Sequence, residues 1–354
     1  MPTPRTVVVD TNSGASRDYA TLVLALAGEA ADLVSLDRIL TIDLRATAGD
    51  AENTGSSTTF TGFTVDATRY PILSTSGSNR LQGVPDTSKY RLICTATVGN
   101  TYALNININY AVVDGLQIEI VNGTSYSNTW AVYHGLTGAC QPIVANCLIL
   151  ADSSKGGIAG LVTASGQLPV FVNNIVKSTT SPYSGSTGIQ NGGINGTGTR
   201  GLTYNCTVIG FETGITSYGT QRSEAHNCIA QSNTTDFANL GSTSDYNLSL
   251  DTTAPGTHSV ISTTLTFTNP SSNIYTLDAS DTAAIDVGED LSTDPVYPVT
   301  VDAAGVSRPQ NSIFDIGAFE YVAAAGGNLF VKLASEGGLA GQGGLAGISG
   351  GLAG

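Results

Sequence analysis

The stretch that decides the fold is VANCLIL at residues 144–150, in which one Asn separates two short runs of β-forming residues. The same phrase, with a polar residue at its centre, recurs as VVDGLQI (112–118), FVNNIVK (171–177), TYNCTVI (203–209), AHNCIAQ (225–231) and, more weakly, SDYNLSL (244–250). Successive central residues, the first of which is Asp114, lie 20 to 32 residues apart. That interval is typical of the coils of a solenoid.

The repeated central residue predicts a ladder of side chains along the stack. Parallel strands of neighbouring coils lie about 4.8 Å apart, which is close enough for each amide to hydrogen-bond the next. We therefore expect a structural ladder formed by Asn146, Asn173, Asn205 and Asn227. We expect the residues that follow three of them, Cys147, Cys206 and Cys228, to stack in a neighbouring column as buried free thiols.

The segments between the copies favour strands and loops over helices. In ALNININYAVV, residues 103–113, Leu104, Ile106 and Ile108 alternate with asparagines, which places the apolar side chains on one face of a strand. Loops such as SSKGGIAG, residues 153–160, are too rich in Gly and Ser to form crossover helices. Parallel strands joined by loops predict an all-β fold, a right-handed parallel β-helix.

One segment near the N-terminus has helical spacing instead. From Tyr19 onward, Leu22, Val23 and Leu26 recur on one helical face, with Ser16 or Asp18 as the N-cap and Gly28 as the stop. The first coil of a solenoid exposes strand edges and an apolar interior, and both favour aggregation. We therefore predict a short helix that covers the N-terminal end.

Charge and hydropathy exclude several classes of partner. The net charge is −14 with only 14 basic residues, so nucleic acid and anionic membranes would be repelled. No stretch approaches the roughly 20 apolar residues of a membrane span. The start, MPTPRTVVVDTNSG, lacks the pattern of a signal peptide. We expect a protein that is made in a host cytoplasm and carried on the surface of a virion.

The far end of the repeat region carries three motifs in order: AAIDVG at 283–288, SRP at 307–309 and FDIGAFEY at 314–321. This ending resembles that of right-handed parallel β-helix proteins of phage virions and bacterial surfaces. The resemblance implies that Asp315, Glu320 and Tyr321 hold a cap at the C-terminal end of the solenoid. The calcium-binding aspartates and catalytic Arg of pectate lyases are not recognisable in the chain.

The last 33 residues change character. In GGLAGQGGLAGISGGLAG, residues 337–354, a glycine stands at every third position, at Gly338, Gly341, Gly344, Gly347 and Gly350. Period three matches polyproline II geometry, in which glycine lets neighbouring chains approach closely. We predict an assembly segment that another chain orders, anchored by Leu339, Leu345, Ile348 and Leu352.

Candidates for chemistry are few. Glu119 and Asp152 occupy nearly matching positions on neighbouring coils and would be the acid and base of a glycan-cleaving groove, or else solvated surface carboxylates. His134, His226 and His258 are too scattered for a metal site. The run Asp286, Glu289, Asp290 and Asp294 lacks the spacing of a calcium loop and is interpreted as a solvated turn. We expect neither a metal nor a cofactor.

Aromatic residues supply a candidate for sugar recognition. The segment SYSNTWAVYHG contains Tyr126, Trp130, Tyr133 and His134, and Trp130 is the single tryptophan of the chain. Exposed rings would offer flat apolar faces to a sugar. The same run suits a coil strand with buried aromatic residues, and the sequence favours that structural interpretation slightly.

These observations predict four regions: a cap and first coils (1–100), a β-helix body (101–250), last coils and C-terminal cap (251–321) and an assembly segment (322–354). The predicted function is that of a non-enzymatic virion protein, a tail fibre or spike or a capsid decoration protein. Its expected partners are its own copies, possible trimers included, capsid or tail proteins, and a host surface glycan. A polysaccharide depolymerase and a bacterial adhesin are the alternatives.

Overall fold

In the computed structural model, the described residues are 1–12, 16–122, 129–136, 141–152, 158–163, 168–180, 184–192, 201–218 and 222–323. The chain divides into two units, Met1–Tyr321 and Val322–Gly354. The predicted assembly segment, with all nine of its named Gly, Leu and Ile residues, lies outside the described residues, as do Tyr126 and Cys140.

Three parallel sheets form the first unit. Sheet 1 contains β1 (Thr3–Asp10), β2 (Arg38–Arg45), β5 (Pro71–Ser74), β8 (Val112–Asp114), β11 (Ile143–Ala145), β14 (Val170–Val172), β17 (Leu202–Tyr204) and β20 (Glu224–His226). Sheet 2 contains β3 (Glu52–Thr54), β6 (Arg91–Ala96), β9 (Gln117–Asn122), β12 (Leu148–Ala151), β15 (Ile175–Ser178), β18 (Thr207–Ile209), β21 (Ile229–Gln231) and β23 (Leu248–Ser249). Sheet 3 contains β4 (Thr58–Phe60), β7 (Thr101–Ile106), β10 (Thr129–His134), β13 (Ile158–Thr163), β16 (Thr187–Gly192), β19 (Thr213–Tyr218) and β22 (Thr235–Ala238).

The chain visits the three sheets in turn, and each strand pairs in parallel with the equivalent strand of the next coil. Ile143 of β11, for example, aligns with Val112 of β8 and with Val170 of β14. The seven strands of sheet 3 correspond to seven coils, with β1 before them and β23 after them. The fold is a right-handed parallel β-helix, as the repeats predict.

The corner between sheets 1 and 2 depends on the repeated Asn. Asn146, Asn173, Asn205 and Asn227 have backbone φ angles of 55°, 52°, 50° and 55°, in the left-handed region. Asn enters this region more readily than other residues with a side chain. Each Asn therefore turns the chain from one sheet into the next within a corner of two residues. In the preceding coil Gly115, with φ 73°, takes this backbone position, whereas the side chain of Asp114, one residue earlier, accepts a hydrogen bond from Asn146 Nδ2 at 2.6 Å.

Inside this corner runs a second column of fully buried residues. It consists of Leu116, Cys147, Asn174, Cys206, Cys228 and Asn247, each with no exposed surface. The Asn174 Oδ1 atom accepts from the Cys147 amide at 3.1 Å, and its Nδ2 atom donates to the Val144 carbonyl at 2.8 Å. Asn247 makes the same pair of bonds to Cys228 and Ala225. The predicted cysteine column is thus interrupted by Asn174.

Sheet 3 has an out-in-in-out pattern rather than strict alternation. In β7, Tyr102 and Asn105 point outward, whereas Ala103 and Leu104 between them are both fully buried. The inward position next to the corner holds Ala103, Ala131, Gly160, Gly188 and Gly214 in successive coils. A Cβ atom on Gly188 would meet Val208 Cγ1 at 2.2 Å, so the corner admits only small residues. The predicted burial of Leu104, Ile106 and Ile108 is confirmed.

The predicted helix is present as α1, Leu22–Glu29, and contacts β1 and β4. Because β4 is the edge strand of sheet 3, α1 lies over the N-terminal end of the solenoid, with Leu22, Ala25 and Leu26 buried. The prediction of the N-cap is wrong: Thr21 caps the helix and accepts from the Leu24 amide at 3.3 Å. Asp18 instead accepts from the Val8 amide, because the chain is still extended there. The helix also runs past Gly28, the predicted stop, to Glu29.

The motifs of the C-terminal region do not close the end of the solenoid. Residues 284–321, which we call the lateral strap, lie along its side at the Asn corner. Ile316, Ala318 and Phe319 pack on outward residues of sheet 2, and Leu291, Val299 and Phe314 pack on outward residues of sheet 1. Strands beneath the strap are therefore apolar on both faces, as VFV in β14 illustrates. The prediction of a terminal cap is corrected to a lateral cover.

Arg308 and Glu320 form the polar centre of the strap. Their side chains are 0% and 1% exposed, and Arg308 Nη1 lies 2.5 Å from Glu320 Oε1. Arg308 also donates to the carbonyls of Asp315 and Gly317, at 3.2 and 2.7 Å. Glu320 accepts from the amides of Asp315 and Gln310, at 3.0 and 2.9 Å. This network ties SRP to FDIGAFEY and explains why the two motifs occur together.

Replacing Arg308 by Ala should destabilise the strap strongly, because Glu320 would remain buried without its partner. Breaking such a pair costs about 3–5 kcal/mol, measurable by urea unfolding. Arg308→Lys, which keeps the charge but loses the planar fork, should lose less. The control is Arg69→Ala, which removes an exposed pair with Asp37 and Asp66 and should change the unfolding midpoint little. Equal effects of Arg308→Ala and Arg69→Ala would contradict this account of the strap.

Candidate functional site

The outer face of sheet 3 carries a group of three aromatic rings. Tyr102 of β7 aligns with Trp130 of β10, and both point outward beside Tyr133. The ring centroids of Tyr102 and Trp130 are 5.1 Å apart, those of Tyr102 and Tyr133 are 4.7 Å apart, and those of Trp130 and Tyr133 are 5.1 Å apart. All three residues are half-buried. We call Tyr102, Trp130 and Tyr133 the aromatic staircase.

The rings of the staircase overlap only in part. Stacked rings in van der Waals contact lie about 3.5 Å apart. The planes of Tyr102 and Trp130 are 11° from parallel, so centroids 5.1 Å apart imply a sideways displacement of roughly 4 Å. Such displaced rings stabilise one another and still present part of their faces to solvent. Both interpretations of the aromatic segment, structural stacking and an accessible apolar surface, are compatible with this geometry.

The structure separates the predicted sugar-binding residues. Trp130 and Tyr133 belong to the staircase, and Tyr102, which no sequence pattern singles out, joins them from the preceding coil. His134 does not belong to it: its side chain points into the solenoid, and its Nε2 atom lies 3.0 Å from the Ile108 carbonyl oxygen. The inclusion of His134 is therefore corrected. Register across coils is the signal that identifies Tyr102.

The two candidate catalytic carboxylates lie on sheet 2. Glu119 aligns with Leu150, whereas Asp152 follows β12 and its amide donates to the Ile120 carbonyl, so the two residues are offset along neighbouring coils. Burial raises the pKa of Glu119, the positive charge of Arg91 opposes this, and the charge of Asp152 adds to it. A carboxyl group whose pKa is raised, with a second carboxylate nearby, is an arrangement that general acid catalysis uses.

The predicted Asn ladder bonds mainly to the strap. One amide-to-amide bond exists between ladder residues, from Asn173 Nδ2 to Asn146 Oδ1 at 3.0 Å. Asn173 also donates to the Val301 carbonyl, Asn205 donates to those of Asp315 and Gly317, and Asn227 donates to that of Glu289. The column thus fastens the strap, which corrects the expectation that each amide binds the next.

The free thiols of the described cysteines are inside the solenoid. Cys94, Cys147, Cys206 and Cys228 are free and buried, and burial raises the pKa of Cys147 to about 12. Their environment is that of small apolar residues rather than of nucleophiles.

A charged contact joins the strap to sheet 1 beside the column. His226 Nδ1 lies 2.8 Å from Glu289 Oε2, and His226 Nε2 lies 3.9 Å from Glu224 Oε2. The Tyr204 hydroxyl donates to Asp294 Oδ2 at 3.1 Å, and its ring meets that of His226 edge to face. Burial alone would lower the pKa of His226, but hydrogen bonds and the charges of Glu224 and Glu289 outweigh it, so the pKa is raised.

The acidic run of the strap is divided among separate partners. Asp286 accepts from Asn311, Asp290 from the Ser292 amide and Asp294 from Tyr204. Across the described ranges, no three His, Cys, Asp or Glu side chains are placed to hold a metal ion. Within the same ranges no helix has the length and apolarity needed to cross a membrane.

Comparison with known proteins adds little. No protein-family model matches this chain, and no curated protein matches it. Among solved structures, the chain is similar to the crystal structure of pectate lyase Pel9A, with 12% identity over 91% of this chain and 97% of that chain. The TM-score of 0.33 is too low for that likeness to carry an argument about function.

The contact between His226 and Glu289 predicts a pH-dependent strap. Because the folded state raises the pKa of His226, its stabilising effect is complete below its ordinary value of about 6.5 and is lost as the pH rises through the folded value. Urea unfolding of the wild type and of His226→Gln should therefore differ more at pH 5.5 than at pH 8.5. Burial raises the pKa of Asp315 to about 6, so this group also favours the folded state at low pH. Because both proteins contain Asp315, its effect cancels in the difference between them. A pH-independent difference would contradict the prediction.

Proposed function

We propose that this chain is a non-enzymatic structural protein of a phage virion that binds a glycan of the host surface. The observation that carries the proposal is the aromatic staircase, since partly open, displaced rings are the surface on which the apolar face of a sugar packs. Rings that already stack on one another are fixed before binding, so little conformational entropy is lost when the ligand arrives.

Two further features support a virion role. The motifs AAIDVG, SRP and FDIGAFEY resemble the ending of virion and surface β-helix proteins. The buried strap network that they form would protect the sides of a rod that is exposed to the environment. In this proposal residues 322–354 anchor the rod to capsid or tail proteins, or join copies of the chain into an oligomer such as a trimer. The proposal includes a tail fibre, a spike or a capsid decoration protein. A bacterial adhesin, the alternative, would bind a glycan through the same aromatic staircase.

Trp130→Ala and Tyr102→Ala should each weaken glycan binding, because each removes one ring and unstacks the others. Stacking of this kind contributes about 0.5–1.5 kcal/mol beyond area burial, so we expect affinity to fall by a factor of about 2 to 13. The measurement is binding to a glycan array, followed by calorimetry. Tyr110→Ala, at a half-buried tyrosine beyond the end of β7, is the matched control and should bind normally. Binding that survives both staircase substitutions would refute the proposed site.

The raised pKa of Glu119 favours a second function, that of a polysaccharide depolymerase. In that case Glu119 would protonate the leaving oxygen and Asp152 would act as base or nucleophile. The wild-type protein would then release reducing sugar from the glycan it binds, and Glu119→Gln would abolish this release while binding persisted. Under the non-enzymatic proposal we expect no release above that of the Glu119→Gln variant. Release that depends on Glu119 would replace the first proposal by the second.

A further inference from the structure

Sheet 3 presents its outward side chains in two rows along the axis of the solenoid. Five of the seven strands contribute both ends of the out-in-in-out pattern, and β4 and β13 contribute one described outward side chain each. One row contains Tyr102, Trp130, Thr187, Thr213 and Thr235, and the other contains Thr59, Asn105, Tyr133, Val162, Gln190, Thr216 and Ala238. With the exception of Val162, which is buried, these residues are all half-exposed. We call this surface the neutral face.

None of the described outward side chains of the neutral face is charged, although the chain has a net charge of −14. The other two sheets differ. Sheet 2 carries Arg91, Glu119 and Lys177 on its strands, and sheet 1 carries Glu224 and His226. Charge is therefore segregated away from the face that contains the staircase.

The polar groups of the neutral face are hydroxyls and amides. The hydroxyl groups of Thr187, Thr213 and Thr216 can both donate and accept, and so can the amide of Gln190. Sugar hydroxyls need partners of this kind. Because the rows repeat at the strand spacing of about 4.8 Å, they offer the same groups several times along one line. A ligand that is itself a repeating polymer can use such a surface fully.

An ionised polymer would be bound poorly here. Carboxylate or sulfate groups require Arg or Lys partners, and the acidic chain would repel them as well. A cationic polymer would find no carboxylate among the described outward residues of sheet 3. An uncharged ligand needs no oppositely charged side chain and is not repelled by the net charge of the protein.

We propose that the ligand of this protein is an uncharged glycan polymer that lies along the axis of the neutral face. It stacks on the aromatic staircase at one end and hydrogen-bonds to the Thr and Gln side chains beyond it. This inference rests on the proposed glycan binding and adds the chemical class and the direction of the ligand.

The test is an array of neutral and anionic glycans with the wild-type chain, followed by calorimetry of the bound glycans at several salt concentrations. We expect binding to uncharged polymers, longer chains binding more tightly than short ones, and affinity that changes little with salt. Preference for anionic glycans, with Trp130 still required, would overturn this inference and leave the proposed function intact. Absence of binding to every glycan, neutral or anionic, would overturn the proposed function together with this inference.

Thr216 allows a variant pair that differs only in charge. Thr216→Gln replaces the hydroxyl by an uncharged amide, which can likewise donate and accept, and should bind within about twofold of the wild type. Thr216→Glu places a charge against a neutral ligand and should weaken binding about tenfold, because the charge must lose water without gaining a partner. Thr87→Glu, on an exposed turn outside sheet 3, should bind normally. Equal affinity of the Thr216 variants would overturn the inference, as would a change of oligomeric state in Thr216→Glu, which would make this face an interface between copies.

Discussion

The left-handed backbone of the Asn corner is the constraint on which the rest of the molecule depends. A chain that turns between two sheets within two residues must place one residue at positive φ, and Asn does so in four successive coils, at 146, 173, 205 and 227. Because the turn has fixed length, the flanking strands stay in register from coil to coil. The buried Asn174 and Asn247 then satisfy backbone groups that the sharp turn leaves unpaired.

The corner also determines which strands need a second layer over their outward faces. Short strands on either side of each Asn, such as VFV and LILA, are buried on both faces, and their outward apolar residues need a second layer. The lateral strap supplies it, and the amides of Asn173, Asn205 and Asn227 bind its backbone carbonyls. Asn therefore has two roles at the corner: its backbone conformation turns the chain between sheets, and its side-chain amide binds the strap.

The sequence predicts the solenoid because the Asn phrase and the alternation around Leu104 and Ile106 are local signals. It predicts α1 but not its cap, since the pairing of Tyr19 with Val9 that keeps residues 18–19 extended is a tertiary contact. Placement of the strap could not be derived from FDIGAFEY alone, because its partners lie as far away as Gly83. In the sequence, the signal for a second layer is that strands such as VFV and LILA consist of apolar residues without alternation. The sequence does not single out Tyr102, and it wrongly groups His134 with the outward rings, because assigning a face requires the register and the paired inward residues of sheet 3.

Covering sheets 1 and 2 has a consequence for the surface that remains. Asp302, Asp315 and Glu320 are buried in the strap, and Glu289 is paired with His226, so the acidic side chains of the strap are directed to the Asn corner and not to sheet 3. The described outward residues of sheet 3, half-exposed apart from the buried Val162, are mainly aromatic, hydroxyl and amide residues instead. A strongly acidic protein can in this way present a neutral, ring-bearing face. The proposed ligand site and the strap use different sheets, so that substitutions at Trp130 and at Arg308 should act independently, the first on affinity and the second on stability.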